Sequence, residues 1–250
     1  MGVSRTDSNG VAEVVIDVPP VNALNVAGWF ELADLVRAAG ADPEVRVVVL
    51  RAEGKGFCAG VDIKELQADP DAIVGVNRGC YAAFAAVYEC EVPVIAAVHG
   101  FCLGGGIGLA GNADVVVASN DATFGLPEVD RGALGAATHL ARLVPQHRMR
   151  AMVYTGEIAT AAELHDYGSI YRVVDRDRLR EEAMTLAATI AEKSPTIIRR
   201  AKESLNGIDP VDVKRSYRFE QGFTYELNLS GVSDEARQAF IEKRDAKFTK

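Results

Sequence analysis

The sequence predicts an α/β fold, because strand-like runs rich in β-branched residues recur between segments of helical periodicity, with no regular repeat linking them. Residues 12–18, 45–51, 94–98, 115–118 and 169–174 are the strand candidates. From Thr196 onward the strand signal stops, and the chain is charged, helical and broken only near 207–210 and 231–233. The predicted organisation is a core over 1–194 and a helical C-terminal subdomain over 195–250, divided at Ser194-Pro195.

The first strand, 12–18 (AEVVIDV), ends at Pro19-Pro20. The turn through Asn22 leads into a helix over 26–39, where Trp29, Leu32, Leu35 and Val36 share helical spacing and Gly40 closes the element. Strand 45–51 (VRVVVLR) is apolar at nearly every position, so burial on both faces is expected. A glycine-punctuated loop, 53–60 (EGKGFCAG), precedes a helix start at 61–66. Residues 68–76 show little periodicity and read as a mobile surface segment, followed by a helix over 77–88 with Tyr81, Phe84, Ala85 and Tyr88 on one side. Beyond the central strands, 132–143 is helical at its end, and a helix runs to about residue 154. Thr160 N-caps a short helix to 166, 169–174 is strand-like, and 176–193 is an amphipathic helix.

Composition narrows the function. At 250 residues with 48% hydrophobic content, the chain can bury a substantial core. Its 27 basic and 35 acidic residues give a net charge of −8, which leaves no basic face for nucleic acid or an anionic membrane. Cys58, Cys80, Cys90 and Cys102 form no C-x-x-C pair, so reduced thiols in a cytoplasmic protein are expected, with no metal site. No charged N-terminal region precedes an apolar run, so no secretion signal is read. Residues 93–111 are nearly long enough to span a membrane, yet Pro93, His99 and the glycines interrupt them, and they read as core.

Gly104, Gly105, Gly106 and Gly108 lie between a buried strand and a helix start, where backbone N–H groups can approach a ligand oxygen. Gly106-Ile-Gly108-Leu-Ala-Gly111 also satisfies the dinucleotide pattern G-x-G-x-x-G, but the strand ends eight residues before Gly106 and another begins soon after Gly111. That leaves no room for the helical crossover a nucleotide fold needs. A third reading has the glycines serving close helix packing alone.

Two glycine loops, Phe57-Cys-Ala-Gly-Val-Asp-Ile63 and His99-Gly-Phe-Cys-Leu-Gly-Gly-Gly106, each follow a buried strand, and Phe124-Gly-Leu-Pro-Glu-Val129 comes next. Together they closely resemble the crotonase family, the enoyl-CoA hydratase/isomerase superfamily, over nearly the whole chain. The resemblance implies a spiral of ββα units with two packed sheets and a helical C-terminal subdomain that supports homotrimers or hexamers. It implies an acyl-CoA thioester substrate, with coenzyme A as part of that substrate and no separate cofactor. The implied oxyanion hole is the backbone N–H groups of Val61 and Gly105, and such preorganised donors are worth about 2.7–4 kcal/mol each.

Hydratases of this family carry two glutamates. The position of the first is Gly108 here, and the second is present as Glu128. The resemblance therefore favours reactions that one carboxylate can serve: hydrolytic opening of a cyclic keto-acyl-CoA, or double-bond isomerisation. Enoyl-CoA hydration remains an alternative, and a non-catalytic acyl-CoA binding protein is the alternative from another class. Asp130 and His139 are further catalytic candidates, with solvated-charge and structural readings beside them; His99 is a weaker one. The loop from Ala133 to His139 is about two residues shorter than usual in the family, which points to a pocket widened for a bulky or cyclic group. Substrate contacts are implied for Asn22, Ala23, Leu24, Ala59, Asp62, Ile63, Gly104 and Gly108. Tyr225 is a candidate proton donor from the C-terminal helices, and Lys243, Arg244 and Lys247 are candidate phosphate contacts.

Overall fold

The computed structural model describes residues 2–69 and 71–247. The chain begins with a hairpin, β1 (Gly2–Ser8) and β2 (Val11–Asp17), turning at Asn9 and Gly10, which both have positive φ (51° and 78°). An Asn-Gly pair between strands is a strong hairpin signal. The sequence reading missed β1 because its residues are mostly polar, as suits the edge of a sheet.

Four successive units then share one plan: a long strand, a short strand and a helix. β2 is followed by β3 (Ala23–Leu24) and α1 (Val26–Ala41). β4 (Val47–Ala52) is followed by β5 (Gly60–Val61), α2 (Ile63–Ala68) and α3 (Ala72–Tyr88). β6 (Val94–Val98) leads to β7 (Phe101–Leu103) and α4 (Gly105–Ala110). β8 (Val115–Ser119) leads to β9 (Thr123–Gly125), a 3-10 helix (Pro127–Arg131) and α5 (Ala137–Leu140). There follow α6 (Gln146–Thr155), β10 (Ile158–Thr160), α7 (Ala161–Asp166), β11 (Arg172–Val174) and α8 (Leu179–Ala191). The C-terminal helices are α9 (Pro195–Gly207), α10 (Val213–Leu229) and α11 (Val232–Glu242).

The long strands build a six-stranded sheet in the order β1-β2-β4-β6-β8-β11, parallel except for β1. The short strands make a second layer of two ladders, β3-β5 and β10-β9-β7, joined by a bridge between Cys58 and Cys102. This is the crotonase-type spiral of ββα units expected above. Successive strand residues point to opposite faces. Val48 and Leu50 therefore enter the main core with Trp29 and Phe84, while Val47 and Val49 meet Leu179, Ala183 and Ala187 of α8. That explains the unbroken apolar run in 47–50.

The expectation of a mobile segment over 68–76 is corrected by α3, which begins at Ala72 and buries Ile73 and Val76. Glycines diluted its periodicity and serve its packing. A Cβ at Gly79 would stand 2.8 Å from the Trp29 Cβ, so the bare glycine lets α3 lie close against α1. Residues 93–111 fold as β6, β7 and α4 of the core, and among the described residues no helix is long and apolar enough to cross a membrane. All four cysteines are free and buried, and burial raises the Cys58 thiol to about 12.

Candidate active site

The two glycine loops meet at one end of the short-strand layer. A Cβ on Gly60 would lie 3.0 Å from the Gly105 nitrogen, and one on Gly105 would lie 3.3 Å from the Gly60 Cα, so Val61 follows directly on that point of approach. Asp62 N–H donates to Leu24 O at 2.9 Å, and strand alternation turns the Val61 N–H to the opposite side. Gly105 is the first residue of α4, so its N–H has no acceptor within the helix. Both residues line one cleft with Ala59, Gly60, Ile63 and Gly104.

Glu128 closes over this point. Pro127 starts the 3-10 helix, where its missing N–H costs nothing, and sets the next side chain against Gly104. Gly104 has φ +55°, and a Cβ there would stand 2.7 Å from Glu128 Oε1, so only glycine fits on both counts. Glu128 is partly exposed as a residue, but its Oε2 is enclosed and has no hydrogen-bond partner among the described residues. Burial raises this carboxyl to about 7, against smaller opposing pulls from its own backbone N–H and from Arg131. A carboxyl so placed can exchange a proton near neutral pH.

Gly108 faces the ring of Phe84, which a Cβ at that position would overlap. The space a first hydratase glutamate would need is thus filled by an aromatic ring. Phe84 stands edge-on to Trp29 at 5.6 Å and tilts against Tyr217 at 5.2 Å, forming the inner wall of the cleft.

The other sequence candidates fall in several places. His139 is buried behind that wall, with Phe84 and Tyr217 against its ring, and is not among the residues lining the cleft. Its Nδ1 lies 3.2 Å from Asn112 Oδ1, and burial lowers it to about 3, so the ring is neutral. Asp130 is exposed and turned toward Gly156, and it too lies outside the cleft lining. His99 holds Gly54 O at 3.2 Å on a different surface. Tyr225 packs partly buried against the core, and Asp62 caps α2 by accepting from Lys64 N at 3.0 Å. Arg244 is paired with Glu235 and Glu242. Ala23 and Leu24 form the strand beside Gly60 and Val61.

Asn22 is committed to the scaffold. Its Oδ1 accepts from Val18 N at 2.7 Å, and its Nδ2 donates to Glu53 O at 2.7 Å and Gly56 O at 2.8 Å. It ties the first turn to the loop that carries Val61. Asn22→Ala is expected to destabilise the fold by about 1–3 kcal/mol in urea unfolding, since three backbone groups lose their partner.

A model of the enoyl-CoA hydratase/isomerase family matches residues 6–250. The chain belongs to this family. A (7aS)-7a-methyl-1,5-dioxo-2,3,5,6,7,7a-hexahydro-1H-indene-carboxyl-CoA hydrolase of Rhodococcus jostii is 64% identical over 245 residues, 97% of this chain and 95% of that protein. A hydrolase of the same name from Mycobacterium tuberculosis is 61% identical over 242 residues, 96% and 98% of the two chains. Among solved structures, an enoyl-CoA hydratase/isomerase from Pseudoalteromonas atlantica superposes with a TM-score of 0.88 at 28% identity, covering 100% of both chains.

Within this family fold, the sequence reading missed the part of the cleft built by helices. Ile73, Val76, Asn77, Cys80 and Phe84 of α3 line it, as do Tyr217, Thr224 and Asn228 of α10. Their spacings of three, four and seven place each set on one helix face, a signal present in the sequence. Leu134, Gly135 and Ala136 of the loop before α5 supply the adjoining wall, and Arg131 and Arg237 complete the rim.

Proposed function

We propose that the chain opens a carbon ring of a cyclic β-keto acyl-CoA by hydrolysis. The observation that carries this reading is a single enclosed carboxyl, Glu128, in a cleft where Phe84 fills the place of a second one. The Rhodococcus and Mycobacterium relatives support it by name, since both are hydrolases of a bicyclic diketo carboxyl-CoA. In this scheme the thioester oxygen rests on the N–H groups of Val61 and Gly105. Ionised Glu128 takes a proton from water as the water oxygen bonds to the ring ketone carbon. The bond from that carbon to the α-carbon breaks, and its electron pair becomes the thioester enolate held by the two amides. Glu128 returns the proton to the α-carbon, and the former ketone carbon becomes a carboxylic acid at the other end of the opened chain. Net consumption is one water, and the thioester survives. Coenzyme A enters with the substrate, and these steps call for no other cofactor.

Asn77 also lines the cleft, and its buried amide nitrogen has no partner among the described residues, a donor suited to a carbonyl of the acyl group. Ala133, Gly135 and Ala136 leave room on this wall beside Leu134, which suits a bulky ring better than an extended chain.

The test is to incubate the protein with cyclic keto-, enoyl- and 3-enoyl-CoA thioesters and weigh the products. Gain of one water with CoA still attached is the expected outcome for the cyclic substrate. Release of free CoA thiol means thioester cleavage, unchanged mass with altered absorbance means isomerisation, and no turnover of any thioester means a binding protein; each would displace the proposal. Turnover of straight-chain crotonyl-CoA should be at least ~10²-fold slower than that of a cyclic substrate, given the missing second carboxylate.

We also infer a cytoplasmic enzyme that assembles as a trimer or hexamer. Phe219, Phe223 and Leu229 on α10 are exposed and supply apolar surface for such contacts. Sedimentation at micromolar concentration tests the assembly, and a monomer there would remove it.

A further inference from the structure

We propose that Arg131 receives the oxygen of the ring ketone during cleavage and then holds the carboxylate which that ketone becomes. The inference rests on the hydrolytic reading above and deepens it, by assigning the far end of the substrate to a residue.

The placement follows from the helix type. Glu128 and Arg131 belong to one 3-10 helix, which has three residues per turn, so side chains three apart stand on the same face. Both line the cleft. Gly132, in the left-handed conformation at φ +67°, ends the helix immediately after Arg131.

Arg131 feels the charges of Glu128 and Asp130 without pairing with either. It forms no ion pair with any carboxylate among the described residues; its guanidinium lies over the ring of Phe240, 4.5 Å from the centroid. The other arginine on the cleft, Arg237, is already engaged with Asp234 and Asn228. Asp130, next in sequence, points toward Gly156, and Glu128 keeps Oε2 unbonded. Burial pulls the Arg131 pKa down, as expected for a guanidinium partly withdrawn from water. Such a group gains most from an anion that arrives with the ligand.

The proposed reaction makes that anion. Water oxygen bonds to the ketone carbon, the bond to the α-carbon breaks, and the α-carbon takes the proton carried by Glu128. The acid so formed ionises, releasing one proton to solvent. Through these steps the ketone oxygen passes from neutral to anionic in the tetrahedral adduct, and ends as half of a carboxylate. A guanidinium can donate to it at every stage and bind the final carboxylate through two parallel N–H groups. Only the acyl end of the substrate gains charge, so the site distinguishes product from an uncharged chain of equal length.

Two unreactive seven-carbon probes test this by calorimetry: pimeloyl-CoA, which ends in a carboxylate, and heptanoyl-CoA, which does not. Wild type should bind pimeloyl-CoA at least ~10-fold more tightly, the scale of a hydrogen bond to a charged group. Arg131→Met, which keeps an unbranched stem against Phe240, should bind the two alike. Arg131→Lys should retain part of the preference, and it serves alone if the Met variant does not fold by circular dichroism. Persistence of the preference in Arg131→Met, or an equal loss of affinity for both probes, would overturn the proposal. Ring cleavage by a wild-type protein with no carboxylate preference sinks the Arg131 assignment and spares the hydrolase reading. A carboxylate preference in a protein that cleaves no cyclic substrate does the reverse.

Discussion

Glu128→Gln is expected to lower the ring-opening rate by roughly 10²–10⁴-fold, because the amide matches the carboxyl in shape and cannot relay a proton. In wild type, the rate at low substrate should climb with pH through about 7, as burial keeps the carboxyl protonated below that point. Arg131 favours ionisation and Glu220 opposes it, so both help set the midpoint. The residual rate of Glu128→Gln should lack this step. Stability should change in the opposite sense to activity. The folded carboxyl titrates near 7, above its unfolded value of 4.5, so the folded state binds the extra proton between those limits. Its stabilising contribution is complete below about 4.5, and is lost as pH rises through about 7. At pH 8 the variant should therefore be more stable than wild type, by up to about 3 kcal/mol, with the difference fading toward pH 5. Chemical denaturation at the two pH values measures this. A variant less stable than wild type at pH 8 would show that the carboxyl is not held in an environment hostile to its charge.

The second large effect concerns the inner wall. Installing the missing carboxylate with Gly108→Glu should not create a hydratase, because the first side-chain carbon already overlaps the Phe84 ring. Overpacking costs roughly 1–3 kcal/mol, and a carboxylate forced among aromatic rings costs more. Phe84→Ala alone should lose about 3–5 kcal/mol, since the ring is buried against Trp29, His139 and Tyr217. In the double variant, the new side chain occupies the space that the ring leaves. The paired loss should then fall short of the sum of the single losses by about 0.5–3 kcal/mol. Denaturant midpoints of the four proteins give this coupling directly. Strict additivity would mean that Phe84 is not what keeps residue 108 bare.

Much of this architecture was legible along the chain. Runs rich in β-branched and apolar residues marked β2, β4, β6 and β8, because a strand buried on both faces can hold little else. The resemblance carried by the three glycine and proline motifs named Val61, Gly105 and Glu128, and the fold brings these three to one cleft. The two- and three-residue strands β3, β5, β7 and β9 were not legible, since so short a run carries no period. The start of α3 was hidden by Gly75 and Gly79, whose packing against α1 erased the pattern that reveals a helix.

By itself, the sequence pointed to the family and its spiral of strand-strand-helix units, and it put glycine at 108 and glutamate at 128. These are properties of residue type at a position, and a linear chain states them outright. Only the tertiary structure decided that Phe84 occupies the place beside Gly108, that His139 lies behind an aromatic wall, and that Asp130 faces away from the cleft. It also decided that Arg131 shares a face with Glu128 and forms no salt bridge among the described residues. Which groups meet, and which are kept from water, depends on elements far apart in sequence packing against one another, and no local pattern of residues encodes that distance.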